Sequence, residues 1–109
     1  MMFILSVGSD PDTLNKRSAV LAEAGYAIVS VIDMPKAAEK IANEEFDMVI
    51  LCNSLIEEDR RQLVNMMRRH RPFMPLILIP EGSTEDEMRR RVSATLGEPV
   101  PGQASSQAV

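Results

Sequence analysis

The stretch "FDMVILC", residues 46–52, decides how the chain is read. From Met48 to Cys52 the residues are all apolar, with Asp47 before them and the polar "NS" after. The run has the length of a strand and shows no polar alternation, so both of its faces must be covered. A strand buried on both sides belongs to a parallel sheet with helices above and below it.

Working outward, three more runs have the same character: "MFILSVG" near the start, the β-branched "AIVSVI" at 27–32, and "PLILI" at 75–79. Helical patterns separate them. Asp10 is placed to cap a helix with Pro11 at its first position, Leu14, Ala19, Val20, Leu21 and Ala24 forming its apolar stripe, and Gly25 ending it. Asp33 is placed to cap a second helix near Pro35, with Ala37, Ala38, Ile41 and Ala42 on one side. The third, "EEDRRQLVNMMRRH", turns Leu63, Val64, Met66 and Met67 inward. Thr84 and Glu87 have capping-box spacing at the head of a fourth helix, which has Met88, Val92 and Leu96 on one side and Gly97 as its stop. The alternation predicts right-handed crossovers and a three-layer α/β/α domain over residues 1–100, with 101–109 as a flexible tail.

The composition fits one small domain. The chain has 109 residues, of which 45% are apolar and 26% charged, and no apolar run approaches the roughly 20 residues that span a bilayer. "MMFILSVG" lacks the basic start and cleavage pattern of a signal peptide, so a cytoplasmic location is expected. One cysteine and one histidine leave zinc short of ligands, and no cofactor is expected. The net charge is −4, yet most of the 12 basic residues follow Glu57. They interleave with Glu and Asp and have no aromatic residues among them, which reads as solvated helix faces and disfavours nucleic acid.

The strand "ILSVGSD", followed in turn by a helix, a strand, a helix, "FDMVILC", a helix and "MPLILI", resembles the receiver domain of bacterial two-component response regulators from about Met2 to Gly97. The resemblance implies a flavodoxin-like (CheY-like) parallel sheet of order 2-1-3-4(-5), with a site at the carboxyl ends of the first and third strands. In that family a histidine kinase phosphorylates an aspartate ending the third strand, with magnesium held by two acidic residues after the first. Carried over by position, the phosphoacceptor falls on Cys52, the acidic pair on Gly8 and Ser9 with Asp10 next in line, and the switch hydroxyl on Pro80. The family's lysine has no counterpart, since no lysine follows Lys40. A one-residue slip would put Asn53 at the acceptor position and Asp10 in the acidic pair, and an amide is still no phosphoacceptor. Magnesium wants hard oxygens, which Gly8, Ser9 and Cys52 supply poorly.

The chain therefore reads as a degenerate, non-catalytic receiver that binds a protein partner. The alternatives are a phosphorelay receiver with atypical acceptor chemistry and a thiol sensor at Cys52. The plainer reading of Cys52 is a small buried hydrophobe. His70 suits a helix C-terminus, and Asp10 is a cap before it is a metal ligand. Met66, Met67, Met74 and Met88 are expected near one another.

A receiver's fifth strand and helix are expected to be short or missing. In the usual winding the first helix then lies alone on one face while the other three share the opposite one. The bare patch beside the first helix suggests a homodimer burying about 800 Å² per partner.

Overall fold

Each of the four apolar runs becomes a strand, and each intervening segment a helix. The computed structural model describes residues 2–52, 54–80 and 82–97. Along the chain lie β1 (Phe3–Val7), α1 (Pro11–Glu23), β2 (Ala27–Val31), α2 (Met34–Asn43), β3 (Met48–Cys52), α3 (Glu57–His70), β4 (Leu76–Ile79) and α4 (Glu85–Leu96). The strands form one parallel sheet of order β2-β1-β3-β4. This is the flavodoxin-like order, and in the register Cys52 pairs with Ile79. Asp47 fixes the alignment of the two central strands at their amino ends. Its carboxylate accepts from the Phe3 amide at 2.7 Å, and its own amide donates to the Phe3 carbonyl at 2.8 Å.

Successive residues of a strand point to opposite faces, so one sheet builds two cores. Leu5, Val7, Val49 and Leu51 pack beneath Ala37 and Ile41 of α2 and Leu63 and Met67 of α3. Ile4, Met48, Ile50 and Ile79 pack against Val20 and Leu21 of α1 and Met88 and Val92 of α4. The helices are thus divided two and two. This corrects the expectation that the first helix lies alone, and no whole face is bare.

The reason is topological. A right-handed crossover fixes the face of a helix that joins two parallel strands, as α1, α2 and α3 do. α4 joins no second described strand, so burial of its Met88 and Val92 stripe decides its side. The buried hydroxyls of Tyr26 and Ser93, 3.2 Å apart, tie it to the turn after α1. The same division separates the methionines: Met66, Met67 and Met74 belong to the α2/α3 core and Met88 to the other, against the expectation that they gather. A fifth strand or helix, and the tail expected after Val100, lie outside the described residues.

The ends of the helices follow their capping residues. Asp10 caps α1, and Gly25 and Gly97 adopt the left-handed conformation at the ends of α1 and α4. Thr84 accepts from the Glu87 amide at 3.1 Å, while the Glu87 carboxylate accepts from the Thr84 hydroxyl rather than from its backbone amide. Asp33 occupies the cap position of α2 without a capping hydrogen bond. Ala19, Ala24 and Ala42 face solvent, so the stripes on α1 and α2 are narrower than their sequences suggest.

Candidate functional site at the carboxyl edge of the sheet

In a doubly wound sheet the ligand crevice lies where neighbouring strands send their chains to opposite faces. Here that point is between β1, which leads to α1, and β3, which leads to α3. The residues expected there do meet. Gly8 and Ser9 follow β1, Asp10 heads α1, and Cys52 ends β3. What they form is a closed seam.

Cys52 is wholly buried. The Ser9 amide donates to Ser54 Oγ at 3.1 Å, and the Ser9 hydroxyl donates to the Ser54 carbonyl at 2.5 Å. The Leu55 amide turns back onto the Cys52 carbonyl at 3.1 Å. Gly8 completes the closure. A Cβ there would lie 3.0 Å from Ser54 Oγ, 3.1 Å from Cys52 Cβ and 3.3 Å from Leu14 Cδ2. Glycine is needed for room and not for backbone conformation, since its φ is not positive.

Asp10 is committed to α1. Its carboxylate accepts from the Thr13 hydroxyl at 2.6 Å and from the Asp12 amide at 3.2 Å. The Thr13 hydroxyl holds its pKa below the ordinary aspartate value, helped by the Asp12 and Thr13 amides and by Lys16 and opposed by some desolvation. Pro80 follows β4, and its carbonyl accepts from the Ser83 hydroxyl at 2.8 Å and from Arg17 at 3.4 Å. Among the described residues no three Cys, His, Asp or Glu side chains form a metal-holding group. His70 ends α3 and is exposed.

The open space lies beside the seam. A cavity of about 410 Å³ separates α1 from the turn before α4, lined by Thr13, Lys16 and Arg17 on one side and Ser83 and Thr84 on the other. Asp10 and Glu85 also border it, so it has both signs of charge. Its making depends on where α4 packs, and neither this cavity nor the Ser9–Ser54 pair was assigned from sequence. The small polar residues at 9 and 54, each just past a strand end, are the signal that points to two loops in contact.

No protein-family profile and no curated protein sequence matches the chain. Solved structures do match. A CheY-like response regulator receiver domain from Methanospirillum hungatei aligns with a TM-score of 0.81 at 17% identity, over 89% of this chain and 94% of that one. The receiver domain of a sensor histidine kinase from Pseudomonas aeruginosa, with magnesium coordinated in its active-site cleft, gives 0.79 at 16% identity over 89% and 98%. A structure of histidine kinase ThkA in complex with response regulator TrrA gives 0.77 at 18% identity, over 88% of this chain and 99% of the matched one. At these identities the likeness establishes the fold. The chain has the flavodoxin-like architecture of CheY-like receiver domains.

Proposed function

We propose that the chain is a receiver-like signalling module that acts by binding protein partners and performs no phosphoryl transfer of its own. The observation that carries this reading is the closed seam: a buried thiol stands where the resemblance places the acceptor, and two loops hydrogen-bonded to each other stand where it places the acidic pair. A phosphoryl group there would lack both a carboxylate to bond and a metal to neutralise it. A complex of a histidine kinase with a response regulator among the structural neighbours supports protein partners. The chain is proposed to act in the cytoplasm. No helix among the described residues is long and apolar enough to cross a membrane.

Incubation with acetyl phosphate and magnesium, followed by intact-mass measurement, tests the proposal. No phosphoryl adduct is expected, and a stoichiometric one would establish the atypical phosphorelay instead. For Cys52 as a thiol sensor, complete burial predicts alkylation by iodoacetamide far slower than that of a free thiol. A homodimer is the second reading, favoured by the outer edge of β4, which pairs with no strand among the described residues and is capped by Arg91 at the Leu78 carbonyl alone. Light scattering on the chain ending at Val100 decides it: a dimer at tens of micromolar supports this reading, and a monomer removes it.

A further inference from the structure

The α2/α3 face has an unfilled margin. Between α3 and β4 runs a groove of about 440 Å³, with Val64, Leu76 and Leu78 exposing apolar surface in it and Leu51 beneath. Leu78 is 42% exposed, a large value for a leucine in a strand. Along α3 the groove is bordered by Arg60, Arg61 and Arg68, with Glu57 as the one carboxylate among the described residues that line it. Glu57 is spent on Arg61, at 3.1 Å, while Arg60 and Arg68 pair with no carboxylate among the described residues. An apolar floor under a cationic border is unusual in a chain whose net charge is −4.

We infer that this groove receives an amphipathic helix of a partner protein, with leucine-like residues on its inner face and Asp or Glu along its flanks. The inference rests on the protein-binding reading above and names the partner's chemistry. The border from Glu57 to Arg68 is about 16 Å long at about 1.5 Å per residue, which matches a three-turn helix lying beside α3. A helix fits better than an added strand. On the outer edge of β4 the Leu78 carbonyl is already taken by Arg91 at 2.8 Å, which interrupts the row of groups that strand addition needs. An acidic helix also fits better than a second copy of this chain. A two-fold pairing through the groove would gather two arginine-rich borders into one interface, which like-charge repulsion opposes.

The test uses the full chain and a synthetic helical peptide of about 15 residues, with Leu at i, i+3, i+4 and i+7 and Glu at the flanking positions. Fluorescence anisotropy should show saturable binding that weakens with salt, and amide shifts should map it to Val64, Arg68, Leu76 and Leu78. The same peptide with Lys for Glu should bind at least about tenfold more weakly, as should the Arg60→Glu, Arg68→Glu double variant with the acidic peptide. Both arginines border the groove on the surface of α3, and an unchanged melting temperature will show that the double variant still folds. Absence of saturation, equal binding of the two peptides, or shifts mapped elsewhere would overturn the inference. So would a dimer of the chain that Leu78→Asp dissolves, since a second copy would then occupy the groove. Phosphoryl labelling is measured separately, so failure of the broader reading is seen independently of peptide binding.

Discussion

Leu51 and Cys52 are neighbours in β3, yet they serve opposite kinds of surface. Leu51 floors the groove between α3 and β4, and Cys52 closes the seam between β1 and β3. At the seam, three small residues let two loops approach and bond, so that the space at this edge lies to one side, in the cavity that Asp10, Ser54 and the turn before α4 line. At the groove, cover depends on a helix alone, and α3 does not reach across β4. The space a sheet offers is therefore set by the loops at its carboxyl end and by helix count at its margin, and this chain draws the loops after β1 and β3 together beside one cavity while leaving the margin open.

The largest expected effect comes from forcing a charge into the seam. Cys52→Asp puts a carboxylate at a wholly buried position, and should cost on the order of 3–5 kcal/mol in urea unfolding. On the proposed reading, which assigns the chain no acidic pair, switch hydroxyl or lysine, it should also fail to take phosphate from acetyl phosphate. A stable, labelled variant would break the contrast between the two regions. Gly8→Ala should cost about 1–3 kcal/mol, since the added methyl meets Cys52 Cβ and Leu14 as well as the movable Ser54 hydroxyl. Tolerance of alanine there would mean that the seam can open.

At the groove the same kind of truncation should be mild. Leu78→Ala removes a side chain already 42% exposed and should cost under about 1 kcal/mol, while weakening peptide binding. The smallest effect is on pH dependence. The carboxylate of Asp10 is favoured by its Thr13 hydrogen bond, so its folded-state pKa lies below the unfolded value. Its contribution is fully present above the ordinary aspartate value of 3.8 and is lost as pH falls through the lower folded value. Urea midpoints of the native chain and Asp10→Asn should therefore differ near neutrality and converge in acid, and an unchanging difference would mean that the cap acts by shape alone.

Much of this was legible in the sequence, because local signals and local structure coincide. The period of the apolar residues located every strand and helix among the described residues, and Asp10, Thr84 and Gly97 act at the helix ends where their chemistry placed them. Asp47 was legible only as a pattern, and its two-way bond to Phe3 supplies the cause. What was not legible depends on distant partners. The stripe of Met88 and Val92 shows that α4 has a buried side but cannot say which face of the sheet it meets. The Ser9–Ser54 contact joins residues far apart in sequence, and the small polar residue just past each strand end hints at a loop contact without naming its partner. The expectation of one bare face followed from the first of these gaps.

Arg91 has a further effect through the helix that carries it. Its guanidinium seals the Leu78 carbonyl only while α4 is docked, and α4 also covers Ile77 and Ile79 on that face of β4. Detachment of this one helix exposes a sticky strand edge and an oily surface together, with the other three strands still in place. Aggregation should therefore start from a partly opened form rather than from the unfolded chain, so that on slow heating turbidity precedes loss of the sheet's circular dichroism signal.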